Sequence, residues 1–157
     1  MDIDSFSVIE EEFDSRVRKI VWCTVCTLDR KERPRSRMLH PIWEGKVGWI
    51  ATGRETLKTK HLAENSYVSL SYWDPDHEQV YADCKAQWDD DPVQRECIWA
   101  LFKSTPEPVG YDPGVFWKNY DDPAYGLLKL TPWRIELSGV VQMSQGKPPQ
   151  VWRQEID

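Results

Sequence analysis

The densest set of groups able to hold an anion lies in the stretch WIATGRETLKTK, residues 49–60. A short apolar run, Trp49-Ile50-Ala51, ends at Thr52-Gly53, and a segment rich in positive charge follows at once. A strand that hands over directly to a helix leaves the first helical N–H groups without partners. Those donors, the positive end of the helix dipole and nearby basic side chains form a site for a phosphate or carboxylate. The local donors are Thr52, Arg54, Thr56, Lys58 and Lys60. The plainer alternative is an ordinary strand–turn–helix with a solvated basic face. Arg35 and Arg37, two apart, share one face of the preceding strand. In an antiparallel pairing Arg37 reaches the start of the helix, where its guanidinium joins the same anion. The formal net charge is −6, so a local basic cluster is more informative than it would be in a basic protein. Arg30, Lys31 and Arg33 read instead as a solvated hairpin turn.

Other chemistry is sparse. His40, His61 and His77 are scattered, without metal-ligand spacing. No Ser sits in a nucleophile elbow. His40, beside a Pro in a strand, reads as structural. Cys23 and Cys26 form a C-x-x-C, but IVWCTVCTL reads as a strand, and side chains three apart on a strand point to opposite faces. A zinc knuckle or redox pair needs converging sulfurs. The expectation is four unbridged, metal-free thiols in a reducing compartment. With no evident acid–base–nucleophile set, any demanding chemistry belongs to a bound cofactor.

The elements that must position these groups follow from pattern. Residues 5–19 carry Phe6, Ile9, Phe13 and Val17 at three- and four-residue spacing, a helix with one apolar stripe, capped by Ser5 or Ser7. Residues 20–28 and 34–43 read as a hairpin around a charged turn, and 47–51 as the third strand. A helix over 55–64 stops near Asn65. Residues 67–73 and 79–88 are the next strands. Asp89-Asp90-Asp91-Pro92 starts a helix over 93–103. A Pro-rich loop over 105–112 and a short helix from Asp112-Pro113 to Trp117 precede the last strands, 124–130 and 133–141. The tail is polar except for Val151-Trp152, which docks on the body.

Short strands joined by tight turns, with one helix inserted after the third, predict a mainly β, α+β fold. The expected architecture is a six- to seven-stranded antiparallel split β-barrel with a few peripheral helices. All 157 residues read as a single domain, long enough to bury a real core. The acidic balance excludes a general nucleic-acid binder. No apolar stretch is long enough to span a bilayer, and the acidic N-terminus lacks a signal-peptide pattern, so a cytoplasmic location is expected. The nine Trp fill a small β core for the most part, some being available to a ring-shaped ligand or an interface.

The segments RSRMLHP, TGRETLKTKHL, YVSLSYWDPDHEQVYADCKAQWDDD and LTPWRIEL resemble the flavin-binding split-barrel proteins related to pyridoxamine 5′-phosphate oxidase, a superfamily that also contains deazaflavin-dependent reductases. The resemblance covers nearly the whole chain. It implies a cofactor phosphate held by Arg37, Thr52, Thr56 and Lys58. Gln79 falls where the family contacts the isoalloxazine region. It also implies a homodimer with the cofactor at its interface and FMN as cofactor, serving hydride or electron transfer with a small-molecule substrate. Cys84 stands where the family often has Gly, and Trp133 to Leu137 match the family's late Trp-containing strand. The family's true oxidases carry an Arg/His segment near the C-terminus for the substrate phosphate; here the end is VWRQEID, with no His after His77. That substrate is therefore not implied. Two other readings stand beside the first. One is a reductase using the deazaflavin coenzyme F-420, whose acidic tail would take a wider groove of Arg35, Arg54, Lys60 and His61. The other is a non-catalytic flavin store or ligand sensor.

Overall fold

In the computed structural model, residues 1–156 are described, and they form one nine-stranded sheet with four α-helices. The strands are β1 (Asp2–Ile3), β2 (Cys23–Leu28), β3 (Pro34–Leu39), β4 (Ile42–Glu44), β5 (Val47–Gly53), β6 (Tyr67–Trp73), β7 (Glu78–Trp88), β8 (Tyr125–Gly139) and β9 (Gln150–Arg153). The helices are α1 (Glu10–Ile20), α2 (Leu57–Glu64), α3 (Pro92–Ser104) and α4 (Val140–Ser144). The pairing path runs β1-β9-β8-β7-β6-β2-β3, and β5 pairs with both β8 and β4. All neighbours are antiparallel except β1 with β9. The sheet does not close: β3 and β5 have no ladder between them. This is the expected mainly β split barrel, with added strands at its margins. No helix among the described residues is long and apolar enough to cross a membrane.

The boundaries differ from the pattern reading where proline intervenes. The stretch 34–43 is two strands, because Pro41 has no N–H to continue a ladder. Conversely, β8 runs unbroken through Thr131-Pro132. Asp83 pairs with Arg134 and Cys84 with Pro132, so Trp133 is skipped in a bulge that accommodates the proline. Cys84, at that bulge, points into the barrel and is fully buried. The first helix starts later than expected, after a 3-10 turn at Phe6–Val8, and neither Ser5 nor Ser7 caps it; their hydroxyls bond each other at 2.8 Å. The docking tail is strand β9.

Two cores result. Inside the barrel, the α1 stripe of Ile9, Phe13 and Val17 packs with Trp43, Leu70, Tyr72, Val80 and Ile135. Outside it, Ile98, Trp99 and Phe102 of α3 pack on Trp49, Tyr125 and Leu127 of β5 and β8. Arg16 of α1 is also buried; it donates to the carbonyls of Gln79 (2.9 Å) and Ser138 (2.5 Å) and pairs with Glu12. Cys23 faces inward and Cys26 lies on the opposite face, as strand geometry requires, and all four cysteines are free.

Candidate functional site

The split between β3 and β5 is where the predicted cations meet. Arg37 pairs in register with Val25, whose side chain is buried, so the Arg37 stem lies on the inner face of β3. The turn from β5 into α2 brings Lys58 to the same place. Arg37 and Lys58 line one narrow gap with Thr27, Leu39 and Ile50. Thr56 is the N-cap of α2, in extended conformation. Its hydroxyl lies 3.4 Å from the Gly53 carbonyl and accepts from the Lys58 ammonium at 2.9 Å. Its side chain caps no helical N–H, which leaves the first amides of α2 for another acceptor.

Lys58 is only 8% exposed, and Arg37 is half-buried. Neither forms an ion pair with an acid among the described residues. The Arg37 guanidinium has one long hydrogen bond, 3.4 Å to the Val25 carbonyl. Burial pushes the Lys58 ammonium below the ordinary lysine range, and the neighbouring Arg37 lowers it further. Burial likewise lowers Arg37. Two covered positive charges with no acid between them are unfavourable unless an anion joins them. The donors present, a guanidinium, an ammonium, a hydroxyl and helix amides, are those that hold a phosphate.

The other expected residues are distributed around this pair. Thr52 is buried at the end of β5, opposite Gly126, and opens onto a separate, larger cavity. Arg54 is turned away: its guanidinium makes a two-point contact with Asp90 (2.7 and 3.1 Å) and lies 4.5 Å over the Trp88 ring. Gln79 sits on the outer face of β7, opposite in direction to buried Val80 and Ala82, so within one chain it does not converge with Arg37. Its Oε1 accepts from Tyr81 (3.1 Å) and Ser138 (3.2 Å). Arg35, Lys60 and His61 line a shallow basic cavity of about 290 Å3 with Arg30, Lys31 and Arg33. His61 is itself buried, with Nδ1 2.9 Å from the Thr27 hydroxyl.

Sequence reasoning missed the larger cavity, about 690 Å3, which borders Leu39, His40 and Thr52 on the sheet side and residues 107–117 on the other. His40 is part of its wall. The signal in the sequence was the length of the segment between α3 and β8, since long irregular loops in compact domains are usually functional.

Sheet and seam define a split barrel with two covered cations at its open edge. The chain belongs to the pyridoxamine 5′-phosphate oxidase family, whose model matches residues 9–138. No curated protein gives a significant match. Among solved structures, a protein from Clostridium acetobutylicum related to general stress protein 26 of B. subtilis, of the pyridoxinephosphate oxidase family, is 16% identical. That match covers 96% of each chain, with a TM-score of 0.73. A pyridoxamine 5′-phosphate oxidase-related, FMN-binding protein from Nostoc punctiforme is 13% identical over 98% of each chain, with a TM-score of 0.64. A structure described as an F420 reductase is 15% identical, covering 78% of this chain and 94% of its own, with a TM-score of 0.59. At these identities the likeness is one of fold.

Proposed function

We propose that this protein is an FMN-binding oxidoreductase acting on a small substrate, with the cofactor phosphate held by Arg37, Thr56 and Lys58. The observation that carries the reading is the pair of covered cations at the barrel seam, without an acid partner among the described residues, beside the open start of α2. An FMN-binding protein of the same fold is among the structural neighbours. Bound there, a flavin would supply the hydride or electron transfer for which the chain has no evident side-chain machinery. The chain's own part is to neutralise the phosphate, orient the ring and keep water from it. Thr52, on the wall of the larger cavity at the end of β5, belongs to the bed of the cofactor in this reading.

A homodimer completes the site. Gln79 faces outward in a sheet face that also exposes Met38, Tyr67 and Trp73, each at least half exposed. Large apolar side chains grouped on one face mark an interface. Across such an interface Gln79 of one copy would meet the cofactor of the other. A cytoplasmic setting accords with the four free thiols.

The basic cavity beyond Lys58 supports a second reading, a coenzyme F-420 reductase, with Arg35 and Lys60 on the acidic tail. Arg54, engaged by Asp90, contributes less to that groove than its position in the sequence suggests. The deciding experiment incubates purified protein with FMN and coenzyme F-420 together and identifies what stays bound by mass spectrometry. Retained FMN supports the first reading and retained F-420 the second. Retention of neither overturns both, leaving a ligand-binding protein without a flavin.

A further inference from the structure

The end of β8 and the chain after it enclose a cavity of about 260 Å3 at the β1–β9 margin of the sheet. It shares no residue with the seam or with the cavity beside Thr52. Local sequence builds it. Gly146, at φ 74°, closes α4: the Lys147 N–H donates to the Gln142 carbonyl (3.0 Å) and the Gly146 N–H to that of Met143 (3.0 Å). That pair of bonds is a Schellman close, whose left-handed residue favours glycine. Pro148 and Pro149 follow and cannot extend the helix, so the chain turns back to enter β9. Met143, Pro148 and Pro149 form one wall of the cavity, facing Leu137 of β8.

Arg16 of α1 also lines this cavity and is only 3% exposed. Its Nη1 donates to the carbonyls of Gln79 and Ser138 and its Nη2 pairs with Glu12, so the guanidinium is fixed in place. Its Nε is buried without a partner. Glu12 is shared: its other oxygen accepts from the Gln150 amide at 2.8 Å. Lys147 is exposed and forms no ion pair among the described residues. The charged side chains of the lining are Arg16 and Lys147; no Asp or Glu belongs to it. In a chain of formal net charge −6, an apolar cavity whose charged side chains are all basic selects for an anion. A buried donor left without an acceptor is unfavourable, and a ligand oxygen at Arg16 relieves it.

We propose that this cavity binds a short aliphatic monocarboxylate, its carboxylate turned to Arg16 and Lys147 and its chain laid against Met143, Pro148 and Leu137. The space takes about nine non-hydrogen atoms at one water volume each, close to the size of a six-carbon acid. No aromatic ring lines it, so nothing there selects a flat body. An adaptable methionine wall suits a flexible chain. The inference does not depend on the cofactor reading, since no lining residue belongs to the seam.

The chain has three methionines, so carbon-13 labelling of their methyl groups gives a signal at the cavity wall and a control away from it. Titration with hexanoate should shift the Met143 signal and leave that of Met38, on β3, in place. Hexan-1-ol, which lacks the charge, should bind about ten-fold more weakly. Hexylammonium and sulfate should leave Met143 unmoved. Lys147→Glu and Met143→Glu, both at exposed positions and so compatible with folding, should weaken hexanoate in calorimetric titration, about five-fold for the first and about ten-fold for the second. An unmoved Met143 signal at millimolar hexanoate would overturn the proposal. So would equal binding of hexan-1-ol or hexylammonium, which would leave the carboxylate no part, or an equal effect of sulfate, which would leave the chain none. Unchanged affinity in both variants would place hexanoate elsewhere and also overturn it. The results should be the same for FMN-loaded and FMN-free protein, so failure of the cofactor reading leaves this inference standing, and its own failure leaves the cofactor reading untouched.

Discussion

At the scale of single residues, the account turns on Lys58 and Arg37. A hydrogen bond to a charged group contributes about 1.5–3 kcal/mol. Lys58→Ala should therefore weaken FMN binding by about one to two powers of ten. Arg37→Ala should cost somewhat more, since a guanidinium can bond two phosphate oxygens. Arg54→Ala should change FMN affinity less than about three-fold, because its fork is already held by Asp90, while loosening the Trp88 region. Fluorescence titration of the flavin measures all three. The pH dependence has a definite sign. Free Lys58 titrates below an ordinary lysine, and only its protonated form attracts phosphate. FMN affinity should fall as pH rises through that lowered value, before exposed lysines discharge, and Lys58→Arg should move the fall to higher pH. This much was legible because it is local: a strand, a turn and a helix start within twelve residues, plus the adjacent arginine strand. The hold on Arg54 was not legible because its partner, Asp90, lies 36 residues away, just past the end of β7. The cavity beside Thr52 depends on where residues 107–117 fold back, which has no local signature.

At the scale of elements, hydrophobic periods predicted which segments are strands and helices, and the proline environment decided where they end. Pro41 terminates β3, whereas Pro132 is carried inside β8 because β8 itself bulges at Trp133, opposite Asp83–Cys84. Pattern alone does not distinguish a proline that breaks a ladder from one absorbed by a bulge. The junction of β5 and β8 that leads into the seam depends on Gly126. A Cβ there would lie 2.6 Å from the Trp88 ring and 2.8 Å from the Thr52 carbonyl oxygen, and the latter is backbone that cannot swing away. Gly126→Ala should destabilise the fold by about 1–3 kcal/mol. Thermal unfolding should show it as a drop of about 2–4 °C per kcal/mol for a chain of this size. A variant that melts with the parent would mean that β5 can move off β8, and the seam would not be rigid. Phe13→Ala tests the other core. The ring is fully buried against Phe6 and Trp43, and its loss should cost about 3–5 kcal/mol.

At the scale of the molecule, one chain presents an incomplete constellation. Arg37 and Lys58 face the seam, and Gln79 faces outward from the far side of the sheet. A dimer through the face bearing Met38, Tyr67 and Trp73 would unite them, and Trp73 pairs directly with Gln79. Sedimentation should give a dimer at micromolar concentration for the parent. Trp73→Glu should shift it to monomer and weaken FMN binding, although Trp73 lies on the opposite face of the sheet from Arg37. A monomeric parent would leave Gln79 without a role at the cofactor. The central claim, that the seam holds the cofactor by its phosphate, is tested most directly by comparing FMN with riboflavin, which has the same ring and lacks that group. The parent should bind FMN at least about a hundred-fold more tightly than riboflavin, and Lys58→Ala should lose most of that preference by weakening FMN alone. Equal affinity of the parent for the two flavins would contradict the account.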